Sequence, residues 1–547
     1  MKGLHNSLLA LATLRTHALD VASQAVTADI SSYAEALLQG TVTPGMTLGF
    51  VRVGENGSVS TEVANWGNMT EDGAPVTSET TFNIGSCSKA FTAAAMGILI
   101  DDFATGKNVT ALPAGVKGFT WQTKVKDLLA SEGWSLEDEW ATQKLSLLDA
   151  FTHVSGIPRH DVSFSVEDTV ATMYMLMQFV LEKYSGKSLH EFAKERIFTP
   201  LNMTSATYSG RDAIDSGLMS QAFNAGRRIP YWMVDQLPAN LVSSAGGLIA
   251  SASDMTKWLA MHANGGVNPE NGQVVIPASI FKRLTTMYSI ENGDPTNPED
   301  SVAGQSPGWV RMSIQGHDVI YHEGGIPGFY SEAWFFPSDR IGIFTSANAA
   351  SAAPYLLALR VAETYLGLDI TPAPSSSSSS TGTAIDAPNN VSTSVLAALP
   401  SYPGTYSNPG YGNFTLCAAT SSAVPGCGAI LAAYAPVSAN GTLDADLLYG
   451  DFAPERVWAS QFRMRPTGAG AFVVQMESAF PQGYGRDETP FTLAPYTHPV
   501  AVQCEEKHGK VVGCGLMNVA LAGSGDTTWE AREGSVEEMA DAWFVKV

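Results

Sequence analysis

Basic residues are few in this chain. Lysine and arginine total 31 against 53 aspartates and glutamates, a net charge of −22, and no lysine- or arginine-rich run occurs anywhere in the 547 residues. Such a surface repels nucleic acid and anionic membranes, so neither is expected as a partner. Long apolar runs are missing too, and no transmembrane span is expected. Cysteine is scarce: there are five, and four of them form two pairs of equal spacing, Cys417 with Cys427 and Cys504 with Cys514. Nine intervening residues is not the short knuckle that zinc prefers, so the pairs read as two local disulfides, and neither a metal nor a cofactor is expected. Disulfides belong to an oxidising compartment.

What is present is material for packed cores. Hydrophobic residues make up 45% of the chain and aromatics 9%, which excludes a disordered protein. The length suggests two or three domains. Residues 371–390, TPAPSSSSSSTGTAIDAPNN, cannot bury enough apolar surface to order themselves and read as a linker. Seven Asn-X-Ser/Thr sequons occur, at Asn56, Asn68, Asn108, Asn202, Asn390, Asn413 and Asn440. With the cysteines they point to a secreted glycoprotein. The first thirty residues leave two readings open. Met1-Lys2 followed by LLALATL resembles a secretory signal, but Arg15, His17 and Asp20 cut its apolar core short, and the same stretch can begin a first helix.

The stretch 81–102, TFNIGSCSKAFTAAAMGILIDD, carries the most chemistry. Phe91, Ala95 and Leu99 recur at helical spacing. With a helix starting at Ser86, Lys89 lies one turn on and on the same face, so an amine can reach the serine hydroxyl. The helix N-terminus favours developing negative charge there. Serine and lysine three apart are commonplace, so the pair needs context. Cys87, between them, reads as a buried small residue.

Along the rest of the chain, Met46–Val53 and Val59–Trp66 read as a hairpin ahead of this helix. Trp121–Ala130, Leu145–Thr152, Met173–Tyr184 and His190–Ile197 read as helices. A further helix follows Ser244-Ala245-Gly246-Gly247, capped by Ser253. Residues 264–307 read as a long loop, and Val310–Ile314, Asp318–His322, Tyr330–Phe336 and Ile341–Ala347 as successive strands. Beyond the linker, short segments at 412–417, 429–433, 443–452, 457–463, 471–477, 527–533 and 542–547 suggest a small antiparallel barrel or sandwich.

Four stretches together, GSCSKAF, HVSGIPRHD, SSAGGLIASASDMTKWL and HEGGIPGFYSEAWFFPSDRIGIFTSAN, resemble the serine β-lactamase and DD-peptidase superfamily in its class C-like branch, in order over about residues 30–365. The resemblance implies that Ser86 is acylated and that Lys89 helps deprotonate it. It implies that His322-Glu323-Gly324 is the third motif, lining the pocket from an edge strand, with Gly325 following. The backbone N–H groups of Ser86 and Gly325 would then form the oxyanion hole. The opening of the last unit, Tyr402-Pro403-Gly404-Thr405-Tyr406, resembles the lipocalin-like domain appended to some members, and each disulfide would tie a hairpin in it. Ser244–Gly247 reads as a structural turn before a helix and is assigned no chemistry, and the resemblance places His153, His160 and Asp161 beneath the site, against a Ser/His/Asp triad.

The expected fold is therefore α/β, an antiparallel sheet flanked by helices plus an all-helical subdomain, followed by a small all-β barrel-like domain. The corresponding units are an N-terminal segment (1–30), a catalytic domain (31–370), a linker (371–395) and the β-rich domain (396–547). One departure stands out. The family's second motif, Tyr-x-Asn or Tyr-x-Ser, has no match where the chain runs from Val162 directly into Met173. Tyr174 aligns with a packing tyrosine, and Tyr406-Ser407-Asn408 spells the motif in the wrong domain. Lys89 is then the sole base. The expected activity is a serine hydrolase acting on an ester, amide or lactam of a small molecule or peptide, and the alternative is a catalytically impaired pseudoenzyme or binding protein.

Overall fold

The apolar strand segments assemble into one antiparallel sheet of β1 (Gly45–Val53), β2 (Val59–Gly67), β3 (Ser289–Asn292), β4 (Ala303–Ser306), β5 (Trp309–Ile314), β6 (His317–Ile326), β7 (Phe329–Phe336) and β8 (Ile341–Ala347). Their spatial order is β2-β1-β8-β7-β6-β5-β4-β3. The computed structural model describes residues 24–156, 164–165, 173–232, 242–295, 297–371, 385, 391–420, 423–494, 500–517 and 534–547. Every residue of β8 is buried, because helices cover both faces of the sheet. The helices that position the site are α1 (Ala28–Gly40), α2 (Ser88–Thr105), α3 (Met173–Ser185), α4 (Ala252–Ala263) and α5 (Ala353–Leu366).

Local sequence explains the outer pair. The Thr27 hydroxyl caps α1 by accepting from the Ile30 amide at 3.2 Å, and Ile30, Ala34 and Leu37 follow at helical spacing as its buried stripe. They share a core with Leu357 and Val361 of α5 and with Phe50, Trp334 and Phe336 of the sheet. On the other face, α2 and α4 meet through Phe91 and Trp258, whose rings stack 3.9 Å apart. Helix α2 was expected to bury one face. It is buried on nearly every side, polar Thr92 included, whose hydroxyl donates to the Ser244 carbonyl at 2.9 Å. An apolar run without a polar stripe marks a central helix.

Three other expectations are corrected. The loop 264–307 contains the helix Ala278–Leu284 and strands β3 and β4, because Ile280 and Leu284 sit one turn apart and both reach the core. Ser251 caps α4, accepting from the Asp254 amide at 3.2 Å, while the Ser253 hydroxyl donates to Ser78 O. The helix at 121–130 shrinks to Val125–Leu128.

Among the described residues, eight C-terminal strands close into an antiparallel barrel: β9 (Gly404–Asn408), β10 (Gly412–Ala418), β11 (Leu448–Ala453), β12 (Gln461–Pro466), β13 (Ala471–Phe480), β14 (Val500–Lys507), β15 (Lys510–Met517) and β16 (Ala542–Lys546). The order is β12-β11-β10-β9-β16-β15-β14-β13, and β13 returns to β12. Closure removes the exposed edges that an open sheet would leave. Residues 429–433 belong to a helix, α6 (Cys427–Tyr434), and not to a strand. The Cys504–Cys514 disulfide ties the β14–β15 hairpin, whereas Cys417–Cys427 ties β10 to α6. Residues 527–533 and nearly all of the linker lie outside the described residues.

The barrel is seated on the sheet domain. The Val457 amide donates to Phe164 O at 2.8 Å, and the Trp232 indole N–H donates to Val457 O at 2.8 Å. Arg228 pairs with Glu71 at 3.2 Å, and the other Glu71 oxygen accepts from the Arg486 amide at 2.9 Å. Arg227 pairs with Asp487, and Arg486 with Asp72.

Candidate active site

Ser86 does not open the α-helix itself. It lies in a 3₁₀ turn, Gly85–Cys87, which leads into α2 at Ser88. The turn is held on three sides. Asn83 Oδ1 accepts from the Gly85 amide at 2.9 Å, and Ser88 Oγ donates to Gly85 O at 2.6 Å while accepting from Leu248 N at 2.9 Å. Gly85 has φ +52°, and a β-carbon there would stand 2.7 Å from the Gly325 nitrogen. A β-carbon on Gly324 would stand 1.9 Å from Ile84 O. Two glycines thus let the serine turn and β6 come together.

Lys89 Nζ lies 2.7 Å from Ser86 Oγ. It also donates to the backbone carbonyl of Ala245 at 2.9 Å, so the amine is aimed from two directions. The ring of Tyr174 faces it, with the centroid 5.5 Å from Nζ. The Tyr174 hydroxyl donates to Phe151 O at 3.2 Å, and burial raises its phenol well above the usual range.

His322 stands on β6, beyond the point where β5 stops pairing: the β5–β6 ladder ends at Tyr321, while β7 pairs with β6 through Ile326. An interior strand by order is therefore an edge strand over the stretch that meets Ser86. Nδ1 of His322 is 2.6 Å from Glu323 O. A carbonyl can only accept, so Nδ1 carries the proton and Nε2 keeps its lone pair. Burial first, and the charge of Lys89 second, press the His322 pKa down to about 3. The imidazole is neutral at physiological pH.

A serine hydroxyl, an amine aimed at it and a close-packed glycine strand lie together here. The Beta-lactamase family model matches residues 30–365, which is most of the chain. The chain belongs to the beta-lactamase family. Among relatives, it is 28% identical over 311 residues to the "Unguisins hydrolase ungD′" of Aspergillus campestris, covering 51% of this chain and 54% of that one. It is 25% identical over 319 residues to the "Unguisins hydrolase ungD" of Aspergillus violaceofuscus, covering 50% and 53%. The chain thus spans about half the length of these two relatives. Among solved structures, the octameric penicillin-binding protein homologue from Pyrococcus abyssi superposes over 95% of this chain and 99% of that one, with a TM-score of 0.51 and 16% identity. That likeness is one of fold.

Within this member of the beta-lactamase family, Ser86, Lys89, His322, Gly324 and Gly325 come together. Ser244–Gly247 was expected to have no chemistry, and its contribution is a main-chain one, the Ala245 carbonyl that accepts from Lys89. Asn83 was also missed, because a buried side chain bonding two residues onward leaves no mark in spacing. His153 is exposed, its ring stacks on Tyr174 with centroids 5.6 Å apart, and its charge reaches His322. His160, Asp161 and most of the connection 162–172 lie outside the described residues. Tyr406 is buried in the barrel, its hydroxyl donating to Tyr402 O at 2.6 Å. Of the sequons, Asn56, Asn68, Asn202, Asn413 and Asn440 are exposed. Asn108 is half-buried and donates to Thr110 O at 2.8 Å, and Asn390 lies outside the described residues.

Proposed function

We propose that the protein is a serine hydrolase that cleaves an amide, ester or lactam through an acyl-Ser86 intermediate. The observation that carries this is the 2.7 Å separation of Lys89 Nζ from Ser86 Oγ, with Ala245 O fixing the amine. Lys89 takes the hydroxyl proton as Oγ bonds to the carbonyl carbon. The oxyanion accepts from the amides of Ser86 and Gly325, donors of a kind worth several kcal/mol of barrier. Collapse breaks the bond to the leaving nitrogen or oxygen, which takes the proton back from Lys89. Water then gives a proton to Lys89 while attacking the ester, and Ser86 recovers that proton as the acid departs.

The neutral His322 supports a role in binding and not in charge neutralisation. The two relatives named as unguisins hydrolases support hydrolysis. The exposed sequon asparagines and the two disulfides support export and glycosylation, which a mobility shift of the natively expressed protein on endoglycosidase treatment tests. One observation favours a second reading, a binding protein slow to turn over: the Tyr174 hydroxyl donates to Phe151 O.

A single experiment separates the two readings. The folded protein is incubated with a fluorescent β-lactam and with p-nitrophenyl acetate, and adducts are mapped by peptide mass spectrometry. Label on Ser86 that is absent in Ser86→Ala, together with turnover of the ester, is the expected result. Folded protein without any adduct excludes the hydrolase.

A further inference from the structure

The carbonyl that aims Lys89 belongs to a short turn, and that turn is supported from three sides. Ala245 lies in Ser243–Gly246, a single helical turn that begins after Val242. Val242 O accepts from the amides of Ala245 at 3.0 Å and Gly246 at 2.8 Å. Helix α2 reaches the turn through Thr92, whose hydroxyl donates to Ser244 O at 2.9 Å. Helix α3 reaches it through Gln178, whose Oε1 accepts from the Ser244 amide at 3.2 Å. The third support comes from the barrel.

Val242 is 5% exposed and shares an apolar cluster with Phe164, Met175 and the barrel residue Val457, itself 1% exposed. The main chain of Val457 fixes its side chain in that cluster. Its amide donates to Phe164 O at 2.8 Å, its carbonyl accepts from the Trp232 indole N–H at 2.8 Å, and the neighbouring Arg456 bridges to Ser165. Phe164 precedes α3 and Trp232 precedes the turn, so one barrel residue ties together the two segments that lead into the elements around Lys89. Met175 follows Tyr174, whose ring faces Nζ. A line of contacts therefore runs from Val457 through Val242 and the Ala245 carbonyl to Lys89 Nζ, and on to Ser86 Oγ. Close-packed interiors transmit a displacement and do not absorb it. A reacting group misplaced by about 1 Å can lose about 10²-fold in rate.

We propose that Val457 is a positioning residue for Lys89: packed with Val242, it holds the Ala245 carbonyl in place, so the barrel acts in proton transfer at Ser86 without touching substrate. This rests on the acyl-Ser86 reading, and the test separates the two.

The full chain carrying Ser86→Ala is labelled with trace acetic anhydride at pH 8. Acetylation of Lys89 is read by mass spectrometry against that of Lys257, which is held by Asn202 O and Asp254 on α4. With the serine hydroxyl gone, the ratio reports how firmly the Ala245 carbonyl holds the amine. It is expected to rise at least threefold in S86A/V457A. An unchanged ratio overturns the proposal whether or not Ser86 reacts. Should Val457→Ala not fold, Trp232→Phe, which loses the bond to Val457 O, decides the matter by the same ratio. With Ser86 intact, Val457→Ala is expected to lower kcat/KM for p-nitrophenyl acetate about tenfold, but less than twofold when Lys89→Met is already present. An equal loss in both backgrounds means that Val457 supports the fold at large, and overturns the positioning role. A raised labelling ratio in protein that forms no Ser86 adduct removes the hydrolase and leaves the brace on Lys89.

Discussion

Cys87 Sγ lies 3.1 Å from the backbone carbonyl of His322, which joins the turn bearing Ser86 to the strand bearing the imidazole. The contact sits directly behind Ser86, where a larger side chain would push turn and strand apart. Cys87 is buried between the serine turn and the strand.

That position makes the thiol inert. Burial, followed by the charges of Glu332 and Glu323, raises its pKa well above the usual value, so thiolate is scarce at pH 8. Cys87 is the free cysteine among the described residues. Native protein is expected to give no reaction with Ellman's reagent at pH 8, and unfolded, non-reduced protein one equivalent. A full equivalent from the native state would show that the turn is open.

Among the described residues, Lys89 is the side chain aimed at Ser86 Oγ. Lys89→Met keeps the apolar stem and removes the base, and kcat/KM for an activated ester is expected to fall about 10²–10⁴-fold. The melting temperature should change little by comparison. A drop of less than threefold would assign proton transfer to another group.

His262 should give the fold an acid limb. Its ring lies among Trp258, Phe281, Trp309 and Phe335, and burial lowers its pKa from 6.5 to about 4. The unfolded chain takes up a proton below pH 6.5 while the folded one refuses it, so stability is lost as pH falls from 6.5 to 4. The linkage amounts to ~3 kcal/mol. Chemical denaturation at pH 7 and pH 4.5 should show a smaller difference for His262→Leu than for the wild type. Equal differences would remove the assignment.

Glu332 should give a limb of the opposite sign. Burial pushes its pKa up to about 8, against the pull of the Trp334 indole N–H, which donates to Oε2 at 2.7 Å. The folded state holds a proton that the unfolded state has released above pH 4.5, so stability declines as pH rises through 8. Glu332→Gln keeps an acceptor for Trp334 and has no proton to lose. Its melting temperature is expected to stay level between pH 6 and 8.5 where that of the wild type falls, and parallel curves would contradict this.

The hairpin β1–β2, the strand run 309–347 and helices α2 and α3 were legible because their apolar residues repeat at strand or helix period. The serine and lysine were legible for the same reason, since three residues on a helical turn bring two side chains together whatever surrounds them. Residues 264–307 were not, because a short helix and two edge strands are set by what they pack against. Asn83 and Ala245 were out of reach altogether. One acts through a bond to a neighbouring amide and the other through a main-chain carbonyl, which any residue supplies.

By itself the sequence determined that Ser86 and Lys89 share a turn, the hairpin β1–β2, the strand run 309–347 and the two cysteine pairs, all of which follow from local spacing. Tertiary structure alone decided that β6 becomes an edge where it meets Ser86, that Ala245 steers Lys89, and that a barrel loop more than two hundred residues from Trp232 holds its ring in place. Those relations depend on which surfaces meet when separate elements bury their apolar faces, and residue order does not specify such a meeting.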